Sequence, residues 1–174
     1  MIERYKQYLK LEKSCSSNTL DAYLKDLKKL EAYVKEAGKG LLDVTLDDLH
    51  HFFASLHDVN IHPRSQARIL SGIRSFYRFL VLEDHIQTDP TELIENPRLG
   101  RKLPDVLTVE EIDNIINSID LSKTEGQRDR AILEVLYSCG LRVSELCNLC
   151  LNDLYLREGF IRVLGKGGKQ RLVP

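Results

Sequence analysis

Two short motifs in the second half of the chain carry residue types that can bind and activate a phosphate. In the run 140–145 (Gly-Leu-Arg-Val-Ser-Glu), Gly140 is expected to end one helix and Arg142 to begin the next. The guanidinium would then lie beside backbone N–H groups that favour an anion. Glu145, one turn later, could hold a neighbouring cationic or imidazole group. A lone arginine at a helix start more often has a purely structural role.

The second motif is the run Gly-Lys-Gly-Gly-Lys at residues 165–169, which lies between two strand-like runs at 159–164 and 170–173. This pattern predicts a β-hairpin whose turn carries Lys166 and Lys169. The spacing differs from that of a Walker phosphate-binding loop. A polar hairpin tip without a ligand is therefore the simpler interpretation of this motif on its own.

The composition indicates the class of protein, but it does not indicate a binding partner. At 174 residues, with 43% hydrophobic and 29% charged residues, the chain has room for one domain and part of a second. Its apolar runs are too short to span a bilayer, and charged residues follow Met1 where a signal core would lie. We therefore expect no membrane segment and a cytoplasmic location. The formal net charge of −1 means that only local clusters of charge can indicate a polyanion.

The four cysteines, Cys15, Cys139, Cys147 and Cys150, lie in helix-like contexts without the spacing of a disulfide framework, so we expect reduced thiols. Cys147 and Cys150 have the spacing of half a zinc site. No second Cys or His pair follows them, and the spacing also suits two neighbours on a helix. We expect no metal.

Apolar spacing predicts a mainly α chain that begins with a small four-helix bundle. The helices are predicted over residues 2–11, from the cap residues 16–19 to Gly38, from Thr45 with Asp48 onward, and from Pro63 to Glu83.

Prolines become frequent from Pro90 to Pro104, and the apolar periodicity lapses there, as is typical of an interdomain linker. We place a first domain at residues 1–97, a linker at 98–107 and a second domain at 108–174. The second domain is predicted to open on a Thr108–Glu111 capping box, to contain a helix over 127–138, and to end in the hairpin, which makes it α+β.

The fourth predicted helix has one face of arginine and serine. On a helical wheel this face carries Arg64, Arg68, Ser71, Ser75 and Arg78, and the opposite face carries Ile69, Leu70, Ile73, Phe76, Tyr77 and Leu80. Guanidinium groups fork onto phosphates and hydroxyls add neutral donors, so this face could follow a nucleic-acid backbone. The alternative is a solvated face whose cations pair with acids elsewhere.

Taken in series, these motifs resemble the tyrosine site-specific recombinases of the phage integrase family, and among them the Xer-type enzymes. The runs that carry the resemblance are Asn18-Thr19 with Tyr23 and Asp26-Leu27, and residues 68–80, 128–133, 140–146 and 165–174. It extends over the whole chain, although Cys139 stands where the family often has threonine.

The resemblance implies a SAM-like, core-binding helical domain followed by an α+β catalytic domain. It implies that Arg142 is the first catalytic arginine, Glu145 the acidic residue that supports the site, and Lys166 the general acid that protonates the leaving oxygen. The DNA contacts predicted from the residues and the resemblance together are Arg64, Arg68, Ser71, Arg74, Ser75, Arg78, Arg101, Lys102 and Lys169.

The resemblance also implies the partners. The substrate is a double-stranded DNA recombination site, and the working assembly is a homo-tetramer or a hetero-tetramer with a second recombinase. Because a 3′-phosphotyrosyl intermediate conserves the bond energy, no cofactor and no metal are required.

One part of the family pattern is absent from this sequence. Nothing matches the His-x-x-Arg box or the late tyrosine nucleophile; six of the seven tyrosines fall in predicted helices and Tyr155 precedes the hairpin. We therefore expect the amino-terminal part of a recombinase, able to bind DNA but not to cleave it. The alternative is a non-catalytic DNA-binding protein derived from a recombinase. Whether the parent is a chromosomal Xer enzyme or a transposon or phage integrase stays open.

Overall fold

The computed structural model describes residues 1–100 and 103–174, and of Lys166 it describes the backbone alone. The chain divides into two compact units, 1–102 and 103–174, so the division falls inside the segment predicted as a linker. Arg101 and Lys102, two of the predicted DNA contacts, lie outside the described residues.

The first unit is a bundle of four helices: α1 (Ile2–Leu11), α2 (Ser17–Glu36), α3 (Leu46–Asp58) and α4 (Pro63–Leu82). Local capping sets the starts of α2 and α3, because the Ser16 hydroxyl accepts the Thr19 N–H and Thr45 forms a capping box with Asp48. The predicted four-helix bundle is confirmed.

Helix α4 lies at the centre of this bundle, and the face predicted to be apolar is buried. Its buried members are Ile69, Leu70, Ile73, Phe76, Tyr77, Phe79 and Leu80. Two buried hydroxyls bind main-chain oxygens: Tyr5 donates to Gly72 at 3.4 Å and Tyr77 donates to Leu41 at 2.9 Å. Satisfying these hydroxyls lets the aromatic rings stay in the core without unpaired polar atoms.

The segment after α4 packs on the helical unit, although the first prolines of the proline-rich stretch lie in it. Thr91 and Ile94 are buried against the bundle, within the residues 1–97 that we predicted as the first domain. The Arg74 guanidinium donates to the carbonyl oxygen of Ile94 and to Asn96 Oδ1, the latter at 2.8 Å. Buried apolar contacts and these hydrogen bonds hold the segment to the bundle as far as Asn96.

The second unit contains α5 (Val109–Asn117), α6 (Gly126–Cys139), α7 (Val143–Cys147) and an antiparallel sheet of β1 (Leu154–Tyr155), β2 (Phe160–Leu164) and β3 (Gln170–Val173), in the order β1-β2-β3. Short 3₁₀ turns at Leu151–Asp153 and Lys166–Gly168 precede β1 and β3. The Thr108–Glu111 capping box opens α5, and Gly140 ends α6 in the left-handed conformation at φ 57°.

Sequence reasoning missed β1. This strand is only two residues long, so its apolar alternation is too short to read, and it is set by pairing Leu154 with Ile161 and Tyr155 with Phe160. Of the four cysteines that the sequence placed in helix-like contexts, Cys15 lies between α1 and α2 and Cys150 follows α7. The mainly α fold with a small sheet is confirmed. Within the described part of the chain, no helix is both long and apolar enough to cross a membrane.

Candidate functional site

Arg142 occupies the position expected from the sequence, at the start of α7. Gly140 turns the chain out of α6, and Arg142 is extended at φ −76° and ψ 150°, which makes it the N-cap residue of α7. Its side chain is 68% exposed. The guanidinium is therefore presented to solvent next to a fixed turn of backbone.

The Glu145 carboxylate holds Arg142 at two points. Glu145 Oε2 accepts the Arg142 backbone N–H at 2.8 Å, and Glu145 Oε1 accepts Arg142 Nη1 at 2.8 Å. The predicted role of Glu145 in holding a neighbouring cation agrees with this geometry. One expected feature differs: the N–H of Arg142 is bound to Glu145 and is not open to an external anion.

A second arginine, which the sequence did not single out, also binds Glu145. Arg171 Nη1 donates to Oε1 at 2.7 Å and Arg171 Nη2 donates to Oε2 at 2.9 Å, which is the two-point fork that a guanidinium forms with a carboxylate. Sequence reasoning missed this residue because its partner lies 26 positions earlier. The only signal in the sequence for Arg171 was the alternation of side-chain direction along the predicted strand at residues 170–173.

The carboxylate at the centre of this cluster stays ionised. Hydrogen bonds from Arg171, then from the Arg142 N–H, outweigh the effect of burial and lower the pKa of Glu145 to about 2. Its side chain is 3% exposed. A buried acid that carries a full negative charge can hold two cations at neutral pH without competing protonation.

The turn between β2 and β3 brings the hairpin motif next to this cluster. Gly165 lies against it, since a Cβ on Gly165 would be 3.4 Å from Arg171 Nη1 and 3.5 Å from Glu145 Oε1. The Gly165 N–H donates to the Lys169 carbonyl at 2.7 Å and closes the turn. Lys166 lies inside this turn, with its side chain outside the described atoms, and Lys169 is exposed.

In the helical unit, the polar face of α4 is exposed at three of its arginines. The side chains of Arg64 and Arg78 form no ion pair within residues 1–100 and 103–174, so their charges are available to a ligand. Arg68 also faces solvent, but its guanidinium forks onto the buried carboxylate of Asp26, with Nη2 3.0 Å from Oδ1. The sequence left open that cations on this face pair with acids elsewhere in the chain. The structure shows such a pair for Arg68.

The other predicted contacts on α4 have partners inside the protein. Ser71 is exposed, and its hydroxyl donates to the Ala67 carbonyl at 2.9 Å. Ser75 is half-buried, and its hydroxyl lies near that of the buried Tyr5. Arg74 uses its donors on Ile94 and Asn96, so its clear role is to hold the segment after α4. Contact of these three residues with DNA stays a prediction.

The structure adds lysines that sequence reasoning missed. A groove between α2 and α4, which we call the α2–α4 groove, is lined by Lys25, Lys28, Lys29 and Arg68 together with the carboxylates of Asp21 and Asp26. All three lysines are exposed. The cations outnumber the acids, so this surface attracts a polyanion although the whole chain is close to neutral. The number of lysines in α2 was the signal in the sequence that could have indicated this groove.

Family models match nearly all of the chain. Residues 2–84 match the model described as phage integrase, N-terminal SAM-like domain, and residues 105–174 match the model described as phage integrase family. Among curated relatives, the tyrosine recombinases XerD of Staphylococcus haemolyticus and Staphylococcus saprophyticus are each 42% identical over 175 residues. Each alignment covers 100% of this chain, which spans 59% of the length of those relatives.

Solved structures share the fold. The chain is similar to a lambda integrase dimer bound to a COC′ core site, with a TM-score of 0.77 and 21% identity over 99% of this chain and 47% of that one. It is also similar to a Tn1549 transposon integrase in complex with circular intermediate DNA, with a TM-score of 0.68 and 17% identity over 99% of this chain and 59% of the other. At these identities the likeness concerns the fold alone.

Each compact unit contains one of the two model matches. The N-terminal SAM-like match lies in the unit with the α4 arginines, and the phage integrase match lies in the unit with the Arg142 cluster. This chain belongs to the phage integrase family of tyrosine recombinases.

Proposed function

We propose that this chain is the DNA-binding and phosphate-activating part of a tyrosine site-specific recombinase, which acts in chromosome dimer resolution or in the integration of a mobile element. The observation that carries the proposal is the Arg142 guanidinium, 68% exposed and held from behind by the buried Glu145 carboxylate. A charged fork fixed in this way suits a phosphodiester, whose non-bridging oxygens gain charge during transfer. The 42% identity to XerD relatives over the whole chain supports it.

The proposed substrate is double-stranded DNA, bound by its phosphates. Arg64 and Arg78 on α4 and the lysines of the α2–α4 groove provide exposed cations in the helical unit, and Lys169 provides one on the turn between β2 and β3. Contacts of this kind fix a protein on a duplex without reading its sequence. We include Arg101 and Lys102 as further contacts on the strength of their charge and position in the chain.

In the whole recombinase, we propose that a tyrosine hydroxyl attacks the scissile phosphate and that the DNA strand leaves as a 5′-hydroxyl. Arg142 stabilises the charge that develops on the phosphate, and Lys166 protonates the leaving oxygen. The 3′-phosphotyrosyl bond conserves the energy of the phosphodiester, so this chemistry uses no nucleotide cofactor and no metal. The proposal assigns the nucleophile role to none of the seven tyrosines of this sequence.

Strand exchange joins two duplexes, so we propose a tetramer of recombinase subunits as the working assembly, formed by one recombinase or by two. A lambda integrase, with which this chain shares the fold at a TM-score of 0.76, is described as a tetramer bound to a Holliday junction. Because the proposed substrate is chromosomal or mobile-element DNA, the proposal places the protein in the cytoplasm.

The proposal is tested first by binding. A fluorescein-labelled DNA duplex should bind the 174-residue chain, with an affinity that falls steeply as salt rises, because neutralised phosphates release counterions. Arg64→Ala with Arg78→Ala should weaken this binding. Absence of salt-dependent binding by the wild-type chain would refute the proposal.

Cleavage is tested separately with a nicked duplex that traps covalent intermediates. We propose that the chain alone gives no protein–DNA adduct on a denaturing gel, because none of its tyrosines matches the family nucleophile. An adduct mapped to one of the seven tyrosines would contradict this part. Reading the gene beyond the codon for Pro174 separates the two functional classes: a His-x-x-Arg box with a later tyrosine indicates the enzyme, and their absence indicates a non-catalytic DNA-binding protein.

A further inference from the structure

Arg171 is a charged group of the second unit that the proposed chemistry does not use. It lies on β3 with its side chain 39% exposed, and both of its terminal nitrogens are bound to Glu145. Arg162 on β2 offers a direct comparison, because its side chain is 38% exposed and it also pairs with an acid, Asp153, at 2.8 Å. The two arginines thus share exposure and type of partner.

The pairing of β2 with β3 places the two arginines on opposite faces of the sheet. Arg171 is paired with Val163 and Arg162 is paired with Leu172. Side chains of paired residues lie on the same face of a sheet and successive side chains alternate, so Arg171 and Arg162 point to opposite faces. Val163 is buried and Leu172 is exposed. Arg171 therefore lies on the face that packs against the Arg142–Glu145 turn, and Arg162 lies on the other.

The hydrogen bonds of Glu145 show what Arg171 does to Arg142. Each carboxylate oxygen accepts two N–H groups, so the four acceptor positions of the carboxylate are filled. Arg171 takes one position on each oxygen, and the Arg142 guanidinium is left with a single bond through Nη1. Within the described part of the chain the remaining donors of Arg142 have no partner. Two guanidiniums facing one carboxylate also leave an excess of positive charge.

The same pair lies beside the turn that carries Lys166. A Cβ added to Gly165, the first residue of that turn, would lie 3.4 Å from Arg171 Nη1 and 3.5 Å from Glu145 Oε1. The Arg171–Glu145 fork therefore joins the Arg142 turn to the β2–β3 turn through one buried acid.

Resting on the proposed function, we propose that Arg171 is a positioning residue: by occupying both oxygens of Glu145 it keeps the Arg142 guanidinium free for a DNA phosphate and fixes the β2–β3 turn beside it. If Arg171 is removed, Arg142 can fold its own fork onto Glu145, and its donors are withdrawn from the phosphate.

The test uses Arg171→Lys in the 174-residue chain, because lysine keeps the charge but cannot form the fork. Arg162→Lys is the matched control, since it changes an equally exposed, acid-paired arginine on the opposite face of the sheet. Arg171→Gln is a second variant, and thermal unfolding verifies that each variant is folded.

The first measurement needs no DNA. The NMR cross-peak of Arg142 Nε–Hε should move in Arg171→Lys and in Arg171→Gln, and should stay in place in Arg162→Lys. An Arg142 signal that is unchanged in both Arg171 variants overturns the proposal, whatever the chain binds.

The second measurement is a double-mutant cycle on binding of a fluorescein-labelled DNA duplex. Arg171→Lys should weaken binding about fivefold, the scale of one ordinary hydrogen bond, and should have no further effect when Arg142 is already alanine. An equal loss of affinity in both backgrounds, or full affinity in Arg171→Lys, overturns the positioning role and leaves the DNA-binding proposal standing. A wild-type chain that binds no DNA refutes the proposed function and, with it, the phosphate role of Arg142 on which this inference rests.

Discussion

Arg68 on α4 and Asp26 on α2 form a two-point ion pair between the two long helices of the bundle, and the Asp26 side chain is only 1% exposed. Lys29 lies 3.8 Å from the same carboxylate. A buried acid needs its partner, because an unpaired charge in the interior is costly. Arg68 thus stabilises the fold while lying at the edge of the α2–α4 groove.

Because of this ion pair, we expect Arg68 to contribute more to the stability of the fold than Arg64, which lies on the same face of α4. Arg68→Ala should lower the free energy of unfolding by about 3 kcal/mol, because it leaves the Asp26 carboxylate without its main partner. Arg64→Ala removes an exposed charge without an ion pair in the described residues, and should change stability by less than about 0.5 kcal/mol. Urea unfolding measures both. Equal decreases in stability would contradict the structural role of Arg68.

The lysines of the α2–α4 groove should contribute to DNA affinity through counterion release. Replacing Lys25 or Lys28 with alanine should lower the slope of log K against log salt by about 0.9 for each phosphate that the variant no longer neutralises. Lys10→Ala on α1 removes the same charge outside the groove and serves as the control. Fluorescence anisotropy over a range of salt gives the slopes. Unchanged slopes in both groove variants would place the DNA elsewhere on the unit.

The capping box of α3 predicts how stability depends on pH. Hydrogen bonds from Lys39, then from the N–H and hydroxyl of Thr45, lower the pKa of Asp48 from 3.8 to about 2. A lowered pKa stabilises the fold above the unfolded-state value, and this stabilisation is lost as pH falls through about 2.

Lys39→Ala should therefore be less stable than wild type above about pH 4, by at most about 1 kcal/mol for an exposed pair. The difference should shrink steadily between about pH 4 and about pH 2, where Asp48 becomes protonated in both proteins. Unfolding free energies measured across this range provide the check. A difference that is independent of pH would mean that the Lys39 contact does not act through the Asp48 charge.

Gly126 at the start of α6 is predicted to tolerate no side chain. A Cβ at this position would overlap the Asp120 carbonyl oxygen and approach Leu121 Cα at 3.0 Å. Gly126→Ala should destabilise the second unit by about 2 kcal/mol, the usual scale of such overpacking. Gly100→Ala is the control, because a Cβ there would meet no atom of the described residues within 4 Å. Hydrogen exchange of the amides of α6 would report the destabilisation, and equal exchange in the two variants would contradict it.

The sequence determined the elements whose causes are local. The capping boxes at Thr45 and Thr108, the left-handed stop at Gly140 and the buried face of α4 all depend on residues within a few positions of one another, and each is present in the structure. Arg142 and Glu145 could be paired from the sequence for the same reason, since they lie one turn apart.

The tertiary structure decided which charges meet and which stay free. Asp26 lies 42 positions from Arg68, and Glu145 lies 26 positions from Arg171, so no spacing rule connects them. Strand β1 likewise exists only because β2 lies beside it. Ion pairing depends on distances that the folded chain sets. The sequence could therefore identify the cations of both units, but only the fold shows that Arg68 and Arg171 each fork onto a buried acid, whereas Arg142 binds its acid through one guanidinium nitrogen and stays 68% exposed.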